Sequence, residues 1–231
     1  IATAALPTVS RHAARDDFVG MRETVSQALR LMLMLNVPAT VGLIALASPI
    51  VRVIFERGAF TPADTAATAA ALQFYAFGLV GYSIVRITSP VFYALGQSRT
   101  PVMVSVATVL LNVLLNVTLV RVMGYRGLAL GTSIAALFNA ILLIFLLGRR
   151  LRGLEGRRVA DSFWRIGIAA ALMGAATVAV DRGLGVWWPG EGLVAQIVRL
   201  GSTIIVALVV LGGASHLLRI REFSEGVTLI A

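Results

Sequence analysis

The chain has 231 residues, of which 58% are hydrophobic and 13% charged, and its formal net charge is +9. A soluble domain carries about 25% charged residues; here the few charges gather in clusters, and the apolar gaps between them are long enough to cross a hydrocarbon core of roughly 30 Å, which excludes an ordinary soluble fold. Because the basic residues sit in short loops between apolar runs, they read as topology signals and contacts to anionic membrane lipids and not as a nucleic-acid surface, and the lack of Cys excludes disulfides and thiolate chemistry.

In chain order, Ile1 to Pro7 (IATAALP) has the composition of the last turns of an apolar helix. Residues 1–9 are therefore read as the end of a preceding transmembrane helix, and the chain as a fragment lacking its N-terminal half. Residues 10–30 follow as a cytoplasmic interfacial helix: Phe18, Met21, Val25 and Leu29 recur at three- and four-residue spacing beside Arg15, Arg22 and Arg30, and Asp16 and Asp17 suit a helix N-terminus. An ordinary linker helix fits the same pattern.

Full spans then follow at 31–51, 65–95, 101–120, 127–148, 163–180 and 200–218. Each is too long and too apolar for an amphipathic surface helix, and the period-2 alternation of a membrane barrel is missing. The fold class is thus all-α: a polytopic transmembrane helix bundle with six full spans plus the end of a preceding helix. Its organisation is a four-span unit at 31–148, a basic cytoplasmic loop at 149–162, two further transmembrane helices at 163–218 and a cytoplasmic tail at 219–231. Turn signals fall at GAFTP (58–62), GQSRTP (96–101) and MGYRG (123–127). VWWPGEG (186–192) places two Trp at an interface, as in an aromatic belt.

If the loops alternate sides, one side holds Arg11, Arg15, Arg22, Arg30, Arg99, Arg149, Arg150, Arg152, Arg157, Arg158, Arg165, Arg219 and Arg221. The other holds Arg52, Arg57, Arg121, Arg126, Arg182 and Arg199. The richer side is assigned to the cytoplasm.

Arg86 is the most informative residue, because it falls inside the second span. A guanidinium there costs from about 2.5 kcal/mol upward and marks a functional site by default. The competing reading is a side chain that snorkels to the cytoplasmic interface, helped by Pro90 one turn on. Asn36, Gln73, Asn112, Asn116 and Asn139 are polar amides at membrane depth; Asn112 and Asn116 share a helix face and are placed to bond to Asn139, chiefly as glue between helices. Gly127 and Gly131 allow close packing, and Pro38 and Pro49 suggest kinks in the first span. The carboxylates all map to edges or loops, and there is no Ser–His–Asp set, HExxH or P-loop. The sequence therefore offers no catalytic residue, metal site or cofactor site.

Several strings are similar to one family. ATAALPTVSR (2–11), NVPATVGLIALASPIVRVIFERGAFTPAD (36–64), RITSPVFYALGQSRTPV (86–102) and GYRGLALGTSIAALFNAILL (124–143) resemble, in this order, parts of the lipid II flippases, the MurJ or MviN family. The resemblance covers about residues 2–150, and the last two spans match in placement more than in sequence. It implies a fourteen-span member of the MOP transporter superfamily in the bacterial cytoplasmic (inner) membrane, of which this chain holds the end of span eight and spans nine to fourteen. On that map 31–148 belongs to the C-terminal transporter lobe, and the substrate is the undecaprenyl-pyrophosphate-linked peptidoglycan precursor, lipid II. The resemblance further implies a cationic cavity, with Arg86 at a basic position of the family pattern, and an apolar tail groove on 163–180 and 200–218. Arg52, Asn112, Asn116 and Asn139 join Arg86 as candidate cavity residues. Gln97 stands where many members have an acid, and the family's arginines on the first two spans lie upstream of Ile1. The alternatives are a polysaccharide-repeat flippase or a drug/cation antiporter of the same superfamily, or a non-transporting scaffold of cell-wall synthesis.

Overall fold

Among residues 2–187, 192–218 and 220, which the computed structural model describes, the chain forms helices and no strand. They are α1 (Ala2–Ala14), α2 (Phe18–Phe55), α3 (Pro62–Ala94), α4 (Arg99–Met123), α5 (Tyr125–Arg150), α6 (Gly156–Trp187) and α7 (Leu193–Leu217). Six of them, α2 to α7, are long and apolar enough to cross a membrane. The side chains of the expected aromatic belt at 186–191, Arg219 and the tail beyond Ile220 lie outside the described residues.

The turns are built by the residues that punctuate the sequence. Asp17 caps α2 by accepting the Gly20 amide at 3.0 Å, and Thr61 and Asp64 cap α3 reciprocally, with Pro62 in its first turn. Gly96 and Gly124 take positive φ values of 69° and 59° where α3 ends and where α4 turns into α5, a backbone region that costs L side chains energy and glycine none.

Contacts between the helices fix their directions. The Asn36–Ser83, Thr40–Ala76 and Gln73–Ile44 hydrogen bonds run α2 antiparallel to α3. Gly78 lies against Ser133 and Gly81 against Ala136, so α3 and α5 run parallel. Gly127 meets Leu119 and Gly131 meets Asn116, so α4 and α5 form an antiparallel hairpin. Arg199 bonds to Asp181, and Arg165 to the Leu218 carbonyl, so α6 and α7 are antiparallel. Successive helices therefore alternate. Arg11, Arg15, Arg22, Arg30, Arg99, Arg149, Arg150, Arg152, Arg157, Arg158 and Arg165 gather at one end of the bundle, called the basic end below.

Two segments differ from the sequence-based boundaries. Residues 10–14 finish α1, and 18–30 are the opening turns of one unbroken 38-residue helix that also passes through Pro38 and Pro49. The apolar face expected to lie on a membrane surface is covered by protein. Met21, Val25 and Leu29 are buried in a core with Val9 of α1, Ile87 and Phe92 of α3, and Leu143 and Leu147 of α5. The basic loop is also shorter than 149–162, because α6 begins at Gly156. The charges of Arg157, Arg158 and Asp161 mark where an apolar run ends, but nothing among them stops a helix, and α6 continues through them as 32 residues.

A second core ties α2 to the last pair: Leu33, Met34 and Val37 pack with Ile166, Ala169 and Ala170 of α6 and Ala214 of α7. Helix α6 makes its contacts on α2 and α7 and does not thread between α2, α3 and α5. At the end opposite the basic one, Ala47, Val51 and Ala69 form a third core.

Candidate functional site

One face of α3 is left open by its neighbours. Gly78 and Gly81 bring α3 against α5, and Ser83 and Ala76 bond to α2. On the remaining face, Tyr75, Tyr82, Arg86, Ser89 and Tyr93 recur at spacings of three, four and seven, which stacks them along the helix. The three tyrosines are 46%, 50% and 54% exposed. Arg86 is also exposed, and no ion pair or hydrogen bond holds its guanidinium among the described residues. It stands eight residues before Ala94, about 12 Å from that end of the helix at 1.5 Å per residue. Below it, Ser89 and Tyr93 join Pro101, Ser105 and Val109 of α4 around an open groove of 380 Å³ between the two helices. Helices α3 and α4 barely touch; α4 is held almost wholly by α5.

The other candidates divide. Asn112 and Asn116 lie together on α4, Asn116 Nδ2 donating to Asn112 Oδ1 at 3.1 Å, while the Asn116 Oδ1 is buried against Gly131 with no partner. The bond to Asn139 does not form. The hairpin register sets Gly131 opposite Asn116, which places Asn139 level with Thr108, a turn beyond Asn112. The Asn139 Oδ1 is likewise buried without a partner. Arg52 stands at the other end of α2, half exposed, with Nε 3.6 Å from Glu56 Oε2. From the α2–α3 register it is level with about residue 65 of α3, roughly 30 Å from Arg86 along the bundle. The two arginines do not share a pocket.

Asn36 and Gln73 serve packing. Asn36 accepts from Ser83 Oγ at 2.7 Å and donates to the Met32 carbonyl at 2.9 Å; Gln73 donates to the Ile44 carbonyl at 3.0 Å. An apolar groove of 540 Å³ runs between α2 and α6, with Val41, Ile44 and Ala45 on one wall and Gly174, Ala175 and Val178 on the other. Among the described residues no group of three or more His, Asp or Glu side chains could hold a metal ion.

The tyrosine stripe on α3 and the Gly78–Gly81 contact escape a reading that looks for charges. Both were written in the spacing: aromatic residues seven and eleven apart on an otherwise apolar helix, and small residues three apart facing Ser133 and Ala136.

The family model described as "Lipid II flippase MurJ" matches residues 1–196. The chain belongs to this family. It is 32% identical to a probable lipid II flippase MurJ of Rickettsia prowazekii over 96% of the chain and 44% of that protein. It is 33% identical to the corresponding protein of Synechocystis over 94% of the chain and 41% of that protein. A solved lipid II flippase MurJ in an inward closed conformation superposes with a TM-score of 0.73 at 26% identity, covering 95% of this chain and 42% of that one. The chain thus spans less than half the length of the relatives it matches. As a MurJ-family chain with six apolar spans, it is a multi-pass protein of the bacterial inner membrane. The family match runs from α1 into the first turn of α7, and so takes in the open face of α3 and the α2–α6 groove.

Proposed function

We propose that this chain is the C-terminal transport portion of a flippase that carries the undecaprenyl-pyrophosphate-linked peptidoglycan precursor, lipid II, from the cytoplasmic to the periplasmic leaflet. Kinship with proteins named lipid II flippases supports the substrate class. The observation that carries the site is Arg86, a guanidinium without a partner among the described residues, on the open face of a membrane-spanning helix.

In this reading the basic end lies in the cytoplasm, by its excess of arginine. The pyrophosphate meets Arg86, whose planar fork offers parallel charge-assisted hydrogen bonds. Tyr82 and Tyr93 flank it one and two turns away with phenolic donors. Asn112, Asn116 and Asn139 belong to the α4–α5 hairpin, and since the Asn116 and Asn139 amide oxygens are buried acceptors they take no part in holding the pyrophosphate. The apolar groove between α2 and α6 receives the polyprenyl chain. Two lobes rock about this site to expose the headgroup to one leaflet and then the other. No bond is made or broken, so no residue is assigned a catalytic role. Arg52 belongs to a surface pair at the far end and has no part in the headgroup site.

The test is complementation of cells depleted of their own flippase by the complete natural protein. Arg86→Ala is expected to abolish growth at normal abundance, and Arg86→Lys to restore it in part. Full growth with Arg86→Ala or Arg86→Gln would assign Arg86 to interfacial snorkelling and leave the headgroup without a partner in this half.

A further inference from the structure

Two arginines at the basic end of α5, Arg149 and Arg152, line one groove and have no carboxylate partner among the described residues. After Arg150 the chain reverses through a turn closed by Leu151 N to Leu147 O at 2.9 Å and Gly153 N to Gly148 O at 2.8 Å. Arg152 occupies that turn with a φ of 56°. This left-handed conformation costs an L residue roughly 1–2 kcal/mol and is ordinarily given to Gly, Asn or Asp. A residue kept in such a conformation against its preference points to a use for its side chain.

The turn makes Arg152 one wall of a groove. Its partners are Arg149, Gly148 at the floor, and Ile144, Phe145 and Leu154, around an open volume of 480 Å³. Two of the neighbouring cations are already engaged. With the Gln97 amide oriented so that its oxygen faces Arg150, Arg150 Nε and Nη2 donate to it at 2.9 and 3.2 Å, and Arg158 pairs with Glu155 at 2.7 Å. Arg149 lies over the Phe145 ring, 5.7 Å from its centre. Neither Arg149 nor Arg152 has a carboxylate partner among the described residues. Two like charges one turn apart repel, so the groove favours an anion.

Below the groove the surface changes character. Phe145, Ile141, Phe138 and Ile134 follow each other down one side of α5 at spacings of four, three and four. They are 58%, 67%, 36% and 38% exposed. A cationic pocket at the end of a transmembrane helix, continuous with an exposed apolar stripe, has the layout of a phosphodiester above an acyl chain.

We propose that the groove formed by α5 and the α5–α6 turn binds an anionic glycerophospholipid of the leaflet at the basic end. The phosphodiester sits between Arg149 and Arg152, and one acyl chain lies along Phe145, Ile141 and Phe138. No residue of α3 or α4 lines the groove, so it is separate from the open face that carries Arg86 and does not depend on the transport reading. A free phosphate satisfies the two guanidinium groups but leaves the stripe unused, which is why a lipid is the committed occupant.

The test uses the complete natural protein in detergent, with dioleoyl phosphatidylglycerol, dioleoyl phosphatidylcholine and inorganic phosphate as probes, and lipid binding read by native mass spectrometry. The double variant Arg149→Gln/Arg152→Gln is expected to bind phosphatidylglycerol about tenfold more weakly, a loss of about 1.4 kcal/mol. Arg99→Gln/Arg157→Gln removes the same charge from the same end and should change binding less than about twofold, well under that 1.4 kcal/mol step. Ile141→Ser is expected to weaken the two-chain lipid while leaving inorganic phosphate unaffected. Arg152→Gly guards against misfolding: it relieves the left-handed strain, so the protein in lipid-free detergent should melt at the same temperature or higher, while stabilisation by phosphatidylglycerol disappears. The proposal is overturned by equal losses in the two double variants, by phosphatidylcholine binding as tightly as phosphatidylglycerol, by inorganic phosphate displacing the lipid at equal concentration, or by Arg152→Gly retaining the lipid response.

Discussion

The α3–α5 and α2–α6 interfaces both join long apolar helices, and they are made differently. Between α3 and α5 the backbones touch: a Cβ added at Gly81 would lie 2.7 Å from the Ala136 carbonyl, and one at Gly78 would meet Ser133 Oγ at 2.9 Å. Ser133 Oγ also donates to the Phe74 carbonyl at 2.6 Å. Between α2 and α6 side chains meet glycines: Met173 lies 3.7 Å from the Cβ position of Gly42, and Val41 Cγ1 lies 2.6 Å from that of Gly174. In a bilayer the lipid tails are as apolar as the helices, so association rests on close packing and hydrogen bonds. The contrast therefore separates an interface of backbone on backbone from a seam whose close contacts are made by side-chain atoms, which can turn aside. On the proposed transport reading, the first would serve as a rigid lobe and the second as a groove wall that adapts to a long chain.

The sharpest way to break that contrast is a pair of glycine substitutions. Gly81→Ala drives a methyl into a backbone carbonyl that cannot rotate away, and overpacking of this kind costs about 1–3 kcal/mol. Gly42→Ala meets only an ordinary contact and gains helix propensity of up to about 1 kcal/mol. Thermal unfolding in detergent should show Gly81→Ala clearly below the parent and Gly42→Ala at or above it. Equal losses in the two variants would mean that the α2–α6 seam is as tightly locked as α3–α5.

Within the appended pair the link is electrostatic. Arg199 donates from Nε to Asp181 Oδ1 at 3.0 Å and from Nη2 to the Asp181 carbonyl at 2.5 Å, with its guanidinium beside Gly185. Both side chains are partly exposed, 31% and 22%, so solvent screens the pair. Arg199→Ala is expected to cost about 1 kcal/mol, with Arg199→Lys recovering part of it. In a double-mutant cycle with Asp181→Ala the two losses should be markedly non-additive; additive losses would show that the pair does not hold α6 to α7.

The polar links of the locked unit come next in size. Removing the Ser83–Asn36 bond by Ser83→Ala should cost about 0.6 kcal/mol, the mean for bonds between membrane helices, measured by the same unfolding assay. A loss several times larger would make this bond, and not side-chain packing, the principal tie between α2 and α3.

The number and order of spans were legible because long apolar gaps between charges admit few other readings, and the alternation of the helices follows from the short turns at Gly58, Gly96 and Gly124. What charge could not reveal was where helices end. Arg157 and Arg158 interrupt an apolar run without interrupting hydrogen bonding along the backbone, so α6 starts well before its apolar stretch. The amphipathic pattern from Phe18 to Leu29 marks a helical face but not its neighbour, because periodicity says that a face is buried and not by what. At the candidate site, Arg86 was visible as an anomaly, whereas the separation of Arg52 from it depends on the α2–α3 register. The Asn112–Asn139 bond likewise fails by one turn of hairpin register, a quantity fixed by how deeply Gly127 and Gly131 let α4 approach.

The α1–α2 corner is a third kind of junction, exposed and held by polar groups, and by the same logic it should matter least. His12 Nδ1 lies 2.8 Å from Asp17 Oδ2, and Gly20 leaves room for the imidazole, since a Cβ there would overlap the ring. The Gly20 amide, and after it His12, hold the Asp17 carboxyl below its ordinary value. A lowered folded pKa means that this stabilisation is complete above the unfolded value of about 3.9 and is lost as pH falls through the folded one. Asp17→Asn keeps an N-cap acceptor but removes the titration. The parent should therefore exceed Asp17→Asn by a small margin that shrinks as pH falls below about 4. Melting the two proteins side by side as pH is lowered provides the check, because the carboxylates they share cancel in the difference. A margin that persists undiminished at the lowest pH would show that Asp17 acts through hydrogen-bond geometry alone, and a margin larger than that of Gly81→Ala would reverse the ranking of locked interface over exposed corner.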